Sequence, residues 1–293
     1  MRKNSITVQE IIVGLMLLLA VVYFLGQTIV SKKVVFPEIV EQILAPLISP
    51  SITLTPSPTP RARTLAEMDK LFGPCVNLPT LMYHHVEPEA VAIKNKRVGL
   101  NVPPEMFKKQ MEYLISNNYS IITPKDLIDF FDSGKVLPAK PVMITFDDGY
   151  VDIGDVAFPI MREMKIKATI YIPTGLMENF SYLTWAKIEE MKSSGLITFG
   201  NHTWSHKNVG ADREVVKYEI STADGQLSEK GLGDPKTFVY PYGLENNSTE
   251  KLLDEMGYQL AFTTVPGRVM CEKRRLSLPR IRIGNASLSV FGL

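Results

Sequence analysis

The feature that most constrains the fold is a repeated alternation of short apolar runs and amphipathic stretches, which begins near Cys75 and continues for about 200 residues. Runs such as "KATIYIP" (167–173) and "LITFGNH" (196–202) predict strands, whereas "LTWAKIEEMKSSG" (183–195) predicts a helix. Such alternation is typical of a parallel sheet covered by helices. Six or more units predict an α/β fold with a closed or partly closed (β/α) barrel, in which chemistry lies at the carboxyl ends of the strands.

The N-terminal part of the chain has a different composition. The stretch from Ile11 to Ser31 carries no charged residue and has about the ~20 residues that a helix needs to cross a bilayer. We expect an uncleaved signal anchor over residues 1–31, with a long cleaved signal peptide as the alternative. Residues 32–75 include the Pro-, Ser- and Thr-rich run "SPSITLTPSPTPRAR" and predict a juxtamembrane segment and a stalk. The globular domain is expected over 76–293, outside the cytoplasm on a single-pass membrane anchor.

Charge and cysteine content exclude some classes of site. The net charge of +1 gives no reason to expect a nucleic-acid partner. The two cysteines, Cys75 and Cys271, form no CxxC pair, which excludes a thiolate zinc site. An external compartment would permit a disulfide between them, but spacing alone leaves the pairing open.

Polar motifs stand at the ends of four predicted strands. Asp147 and Asp148 directly follow the apolar run "PVMITF", where two adjacent carboxylates repel each other unless a cation or a proton compensates them. The motifs "NHTWSH" (201–206), "YPYG" (240–243) and "YHHV" (83–86) follow three further strands. In a barrel these strand ends lie on one face, so we expect the motifs to converge there.

All four histidines of the chain belong to these motifs. His202 and His206 have the His-x-x-x-His spacing with which two imidazoles can reach one ion. Two imidazoles and one carboxylate form a common three-ligand set that leaves positions open for water. One aspartate would then bind the metal, while the other remains free for proton transfer.

The motifs "TFDDGY" (145–150), "HTWSH" (202–206) and "FVYPYG" (238–243) resemble those of the NodB-type polysaccharide deacetylases, which are metal-dependent carbohydrate esterases with a distorted (β/α) barrel. The similarity extends from about Leu78 to Ile283. It implies removal of an acetyl group from an N-acetylated sugar, with zinc or another divalent ion as the cofactor.

The resemblance also implies roles for individual residues. Asp147 would be the catalytic base, and the metal ligands would be Asp148, His202 and His206. Thr203 would hold the histidine loop in shape, and the backbone N–H of Tyr242 would help to stabilise the oxyanion.

The chain departs from the common family pattern at two points. No histidine follows His206, where the general acid is usually found, and the order of motifs resembles the circularly permuted branch that includes the poly-β-1,6-N-acetylglucosamine deacetylases. There the acid comes from a Tyr-His motif, which corresponds to His84, so that His85 would face away. The family often has an arginine at the position of Val239; Arg280 could replace it in orienting the base, or could form an ordinary ion pair.

These expectations favour an enzyme that removes N-acetyl groups from a GlcNAc-containing polysaccharide. Peptidoglycan N-deacetylation and O-acetyl ester hydrolysis are alternatives, because all three use nearly the same site chemistry. A carbohydrate-binding protein without catalysis is the other class, and it would normally lack an acid or a ligand. The loops that choose the substrate, and the oligomeric state, cannot be interpreted from the sequence.

Overall fold

The computed structural model describes residues 62–293. The predicted signal anchor (1–31) and the stalk up to residue 61 lie outside the described residues. Among the helices of residues 62–293, none combines the length and the apolar character needed to cross a membrane.

Strands and helices alternate through the described chain, as the sequence predicts. The ten strands are β1 (Cys75–Asn77), β2 (Thr80–Tyr83), β3 (Ser120–Ile122), β4 (Pro141–Phe146), β5 (Ala168–Ile172), β6 (Ile197–Asn201), β7 (Thr237–Val239), β8 (Leu260–Pro266), β9 (Val269–Cys271) and β10 (Leu278–Arg282). The eight α-helices are α1 (Leu65–Phe72), α2 (Glu89–Lys94), α3 (Pro104–Ser116), α4 (Pro124–Ser133), α5 (Phe158–Glu163), α6 (Trp185–Ser193), α7 (Arg213–Glu229) and α8 (Asn247–Glu255).

Seven parallel strands close into a barrel, which confirms the predicted distorted (β/α) barrel. Strand β2 pairs in parallel with β4 on one side and with β10 on the other, and this pairing joins the two ends of the sheet. Around the ring the order is β2, β4, β5, β6, β7, β8 and β10, while β3 pairs with the first half of β4. The barrel is irregular, because β6 and β7 share a single residue pair, Asn201 with Phe238, and β10 shifts register against β8 after Leu278.

Local sequence signals explain where the elements begin and end. The strand β4 is buried at every residue after Pro141, as its continuous apolar run predicts for a parallel strand covered on both faces. Helix α4 begins at Pro124, whose fixed φ suits the first turn, and ends before Gly134, which adopts a left-handed φ of 69°. The side chain of Thr184 caps α6 by accepting a hydrogen bond from the Lys187 N–H. All three signals were expected from the sequence.

A disulfide lies outside the barrel ring, on a small antiparallel pair formed by β1 and β9. Cys75 and Cys271 face each other in register and are bonded, with an S–S distance of 2.01 Å. The compact unit begins at Ala62, within the segment that the sequence analysis assigned to the stalk (32–75). Helix α1 starts at a capping box formed by Thr64 and Glu67 and leads directly into β1.

Candidate active site

A cavity of about 320 Å³ opens at the carboxyl ends of the barrel strands. The residues that line it come from segments following β2, β4, β6 and β7, together with the end of β10. They include His84, Asp147, Asp148, His202, His206, Tyr242 and Arg282. The structure thus brings together the four motifs that the sequence predicts to converge.

The predicted metal ligands form one compact group. Nε2 of His202 lies 3.3 Å from Oδ1 of Asp148, and Nε2 of His206 lies 3.1 Å from the same oxygen. Donors placed tetrahedrally around an ion, with bonds of about 2.0–2.1 Å, are about 3.3 Å apart. The spacing and the donor types therefore fit a divalent transition-metal ion.

The second ring nitrogen of His202 fixes the orientation of its imidazole. Nδ1 lies 2.7 Å from the carbonyl oxygen of Val239, to which it donates when Nε2 is the unprotonated nitrogen that faces Asp148. Burial alone would raise the pKa of the Asp148 carboxyl, but the two neighbouring imidazoles of His202 and His206 outweigh it and hold that pKa well below the usual range. Asp148 is therefore an anion, the form in which a carboxylate binds a metal.

Strained backbone presents these ligands. Asp148, Thr203 and His206 have positive φ angles of 70°, 65° and 59°, a region that non-glycine residues rarely adopt. The Thr203 N–H donates to Oδ1 of Asn201 (2.7 Å), and the Thr203 hydroxyl accepts from the Lys207 N–H (3.1 Å). These bonds hold the loop between the two histidines, which is the position in which the sequence analysis placed Thr203.

Asp147 is held from the opposite side by Arg280. The guanidinium donates from its two terminal nitrogens to the two carboxylate oxygens, each at 2.7 Å, and its Nε donates to the Thr263 carbonyl at 2.9 Å. Both side chains are buried. Burial alone would raise the pKa of Asp147, but the charge and hydrogen bonds of Arg280 outweigh it and lower that pKa. Asp147 is therefore ionised and fixed in orientation, as a general base requires.

The two adjacent histidines face different surroundings. His84 lines the cavity, and its Nε2 lies 3.9 Å from Oδ2 of Asp147. Burial lowers the pKa of His84, an effect that the nearby Asp147 charge only partly offsets. His85 is buried away from the cavity, with Nδ1 2.9 Å from Oδ1 of Asp152 and its ring stacked on Tyr150 at 3.8 Å. This arrangement is the one expected if His84 is the acid.

Tyr242 lies at the edge of the cavity with a left-handed φ of 61°. The residue is 63% exposed, and its ring makes a T-shaped contact with His206, with 4.7 Å between ring centroids. The backbone conformation turns the chain sharply at the site, and the predicted oxyanion role of the Tyr242 N–H stays a prediction. Trp204 packs against Gly175 and makes a T-shaped contact with Tyr218.

A second cluster of possible ligands consists of His85, Glu87 and Asp152. Its polar atoms already have partners within the protein. Arg97 donates to both oxygens of Glu87, and the Val86 N–H donates to Asp152. These contacts hold the segment after β2 in place, and they already occupy both carboxylates of the cluster.

The sequence reasoning missed the residues that support the site. Asn201 holds Thr203 and donates to the carbonyl of Ile220 and to the hydroxyl of Tyr258. Tyr150 lines the cavity, and its place within "TFDDGY" was a usable signal. The Asn201 contacts link residues far apart in sequence, and no local signal could have indicated them.

Comparisons with known proteins agree with this site. The profile of the family described as "Polysaccharide deacetylase" matches residues 134–261. A protein of Bacillus subtilis, YxkH, named as a polysaccharide deacetylase, is 30% identical over 217 residues, which cover 73% of this chain and 75% of that protein. The chain therefore belongs to the polysaccharide deacetylase family, as its motifs indicated, and the prediction of an enzyme of this family is confirmed.

Two further relatives are informative. A protein of Staphylococcus epidermidis named poly-β-1,6-N-acetyl-D-glucosamine N-deacetylase is 27% identical over 199 residues, or 63% of this chain and 68% of that protein. The Streptococcus pyogenes deacetylase PplD, solved in complex with acetate, superposes with a TM-score of 0.67 and 29% identity over 74% of this chain and 96% of that chain. The similarity to a poly-N-acetylglucosamine deacetylase is in line with the early position of the "LMYHHV" motif.

Proposed function

We propose that the protein removes N-acetyl groups from a GlcNAc-containing polysaccharide, using a divalent metal ion, for which we favour zinc. The observation that carries the proposal is the juxtaposition of three different groups in one cavity. Asp148, His202 and His206 form a ligand set, Asp147 is an ionised base fixed by Arg280, and His84 stands within reach of Asp147. Metal-assisted hydrolysis of an amide uses each of these groups.

Each residue of the site has a separate role in the proposed reaction. Asp148, His202 and His206 would hold the ion, which supplies Lewis acidity to polarise the amide carbonyl and to make water more acidic. Asp147 accepts the proton of the attacking water, and Arg280 keeps both of its oxygens in a fixed plane. His84 donates a proton to the departing amine.

The His84 position favours an amide substrate over an ester. The nitrogen of an amide must be protonated before it leaves as an amine, whereas an alcohol leaves from an ester with less assistance. His84 lines the cavity beside Asp147, where it can supply that proton. The same arrangement favours catalysis over binding alone, because the proposed ligands, base and acid are all present in one cavity.

Acetate release by the full-length protein tests this proposal. The substrates are β-1,6-linked GlcNAc oligomers, chitooligomers, peptidoglycan and acetylxylan. We expect release from N-acetylated GlcNAc polymers and little from acetylxylan, with Asp147→Asn as the inactive control. Release from acetylxylan alone would assign the protein to the O-acetyl esterases, and release from no substrate by the metal-loaded protein would reject the proposed function.

We also propose that residues 1–31 anchor the protein in the cell membrane, with the catalytic domain outside the cytoplasm. The support is the uncharged run from Ile11 to Ser31. The full-length protein should fractionate with membranes and keep its N-terminus. A soluble extracellular form that begins after about Val30, identified by mass spectrometry, would replace the anchor with a cleaved signal peptide.

A further inference from the structure

Arg282 stands at the mouth of the cavity with its side chain directed there by the geometry of β10. Residues two apart on a strand share a face, so Arg282 follows Arg280 on the side that points into the barrel. Arg280 is buried beneath the site, whereas Arg282 is exposed at the carboxyl end of the strand and lines the cavity. In the parallel pairing with β2, Arg282 lies beside Met82, two residues before His84.

The guanidinium of Arg282 has no partner among residues 62–293, since no hydrogen bond or ion pair there engages it. Several other arginines of the domain are engaged. Arg268 donates to the carbonyls of Gly292 and Phe291, and Arg275 donates to Asp132. Arg282 therefore stands out as an uncommitted cation in the cavity that contains the catalytic groups.

The negative charges of the cavity already have positive partners other than Arg282. Arg280 already compensates Asp147, and Asp148 faces the two imidazoles that would share a divalent ion with it. With the ion bound, its two positive charges balance the two aspartates, and Arg280 adds one more. Arg282 is then a positive charge at the mouth of the cavity that neither of the two aspartates lining it compensates.

We propose that Arg282 binds an anionic substituent, a carboxylate or a phosphate, carried by the sugar chain next to the N-acetyl group that is removed. A guanidinium matches both anions through paired N–H donors. The same charge repels glucosamine, the cationic product of the reaction, so units next to an already deacetylated sugar become poorer substrates. This inference rests on the proposed function and specifies the class of polymer on which it acts.

Three sets of oligosaccharides of equal length test the inference with the full-length protein. One set alternates GlcNAc with a hexuronate, one carries a phosphate substituent on GlcNAc, and one contains neutral GlcNAc alone. In Arg282→Gln, the kcat/KM for an anionic set relative to the neutral set should fall by about tenfold, the effect of a lost charge-assisted contact. Arg282→Lys keeps the positive charge but lacks the paired N–H donors of a guanidinium. It should retain most of the ratio of kcat/KM values. The anionic set whose kcat/KM falls relative to the neutral set shows whether the anion is a carboxylate or a phosphate.

Two controls separate a direct contact from a general effect of charge. Arg63→Gln removes the same charge from an exposed residue that does not line the cavity, and should leave the ratio unchanged. Raising the salt concentration should reduce the ratio in the wild type and leave it unaltered in Arg282→Gln. If the ratio in Arg282→Gln equals that of the wild type for both anionic sets, the inference is overturned.

A binding measurement distinguishes failure of this inference from failure of the proposed function. Dissociation constants of the same oligosaccharides are measured by calorimetry for Asp147→Asn with Arg282 intact and for Asp147→Asn with Arg282→Gln. Should the wild type release no acetate from any set, the proposed function fails and these constants alone decide the role of Arg282. A weaker affinity for an anionic set only when Arg282 is absent supports the role, and equal affinities overturn it.

Discussion

Adjacent aspartates at the end of β4 have different charge partners although a single peptide unit separates them. Both oxygens of Asp147 accept from Arg280, while Asp148 turns through a left-handed φ of 70° toward His202 and His206. The mutual repulsion of the two carboxylates is therefore offset twice, once by a buried arginine and once by the ligand set. This difference in partners predicts a difference in function.

Substitution of each aspartate by asparagine should separate the two roles. Asp147→Asn should keep the bound metal and lose turnover, because an amide cannot accept the proton of water. Asp148→Asn should reduce both, because it removes a metal ligand. Acetate release and elemental analysis of the same protein samples provide the check. Loss of metal in Asp147→Asn with retention in Asp148→Asn would mean that the roles are reversed.

The neighbouring histidines allow a matched comparison. His84→Ala should reduce turnover by roughly 10²–10⁴-fold, the range for a lost acid–base group, and leave the metal content intact. His85→Ala should have a much milder effect on turnover, because its ring packs on Tyr150 and bonds Asp152 outside the cavity. A substrate with a leaving group that needs no proton should be less sensitive to His84→Ala. An inactive His85→Ala with a near-normal His84→Ala would assign the acid to His85.

The pKa shifts of the proposed base, Asp147, and the proposed acid, His84, predict the pH dependence of kcat/KM. Burial would raise the pKa of Asp147, but Arg280 lowers it overall, so the base stays ionised down to acidic pH. Burial lowers the pKa of His84 more than Asp147 raises it, so the acid loses its proton at a lower pH than an ordinary histidine does. We expect a bell-shaped profile whose alkaline limb lies below the usual histidine range. His84→Ala should lack that limb, and a limb that persists unchanged would assign it to another group.

Among the elements, β10 determines how Asp147, the proposed base, is held. It delivers Arg280 into the barrel interior, where the guanidinium spans from the Thr263 carbonyl of β8 to Thr145 and Asp147 at the end of β4. The arginine thus bridges three strands across the ring. Where the family often has an arginine near the end of β7, this chain has Val239, whose carbonyl instead orients His202.

Arg280→Ala should therefore destabilise the fold as well as inactivate the enzyme. Removing one partner of a buried ion pair leaves the other charge uncompensated, which costs about 3–5 kcal/mol. Denaturant unfolding at neutral pH measures the loss. Adding Asp147→Asn to Arg280→Ala removes the unpaired buried carboxylate. This double variant should recover part of the stability without recovering activity. Additive losses in the double variant would show that the two residues do not act as a pair.

Strand ends were predictable from sequence, but the contacts that hold them were not. The apolar run of β4 and the Asp pair after it identify both a strand and a site, because burial and charge are local signals. The pairing of Arg280 with Asp147 spans 133 residues, and only the closed ring shows that their side chains meet. Asn201 is similar, since its partners at Ile220 and Tyr258 come from other elements.

At the scale of the whole molecule, ring closure between β2 and β10 assembles the site. It places His84, which follows β2, next to residues at the end of β4 and at the end of β10. The capped helix α1 and the bonded β1–β9 pair follow the proline-rich segment and pack with the rest of the described residues. The anchor over residues 1–31 stays a proposal, since it lies outside the described residues.

Metal reconstitution of the full-length protein tests the central claim most directly. Protein stripped with a chelator should release no acetate from GlcNAc oligomers, and titration with zinc should restore activity to an end point at one ion per chain. His202→Ala and His206→Ala should bind little metal and recover little activity, whereas His85→Ala should still bind one ion. Full metal content in the two ligand variants, or full activity in the stripped protein, would contradict a deacetylase centred on Asp148, His202 and His206.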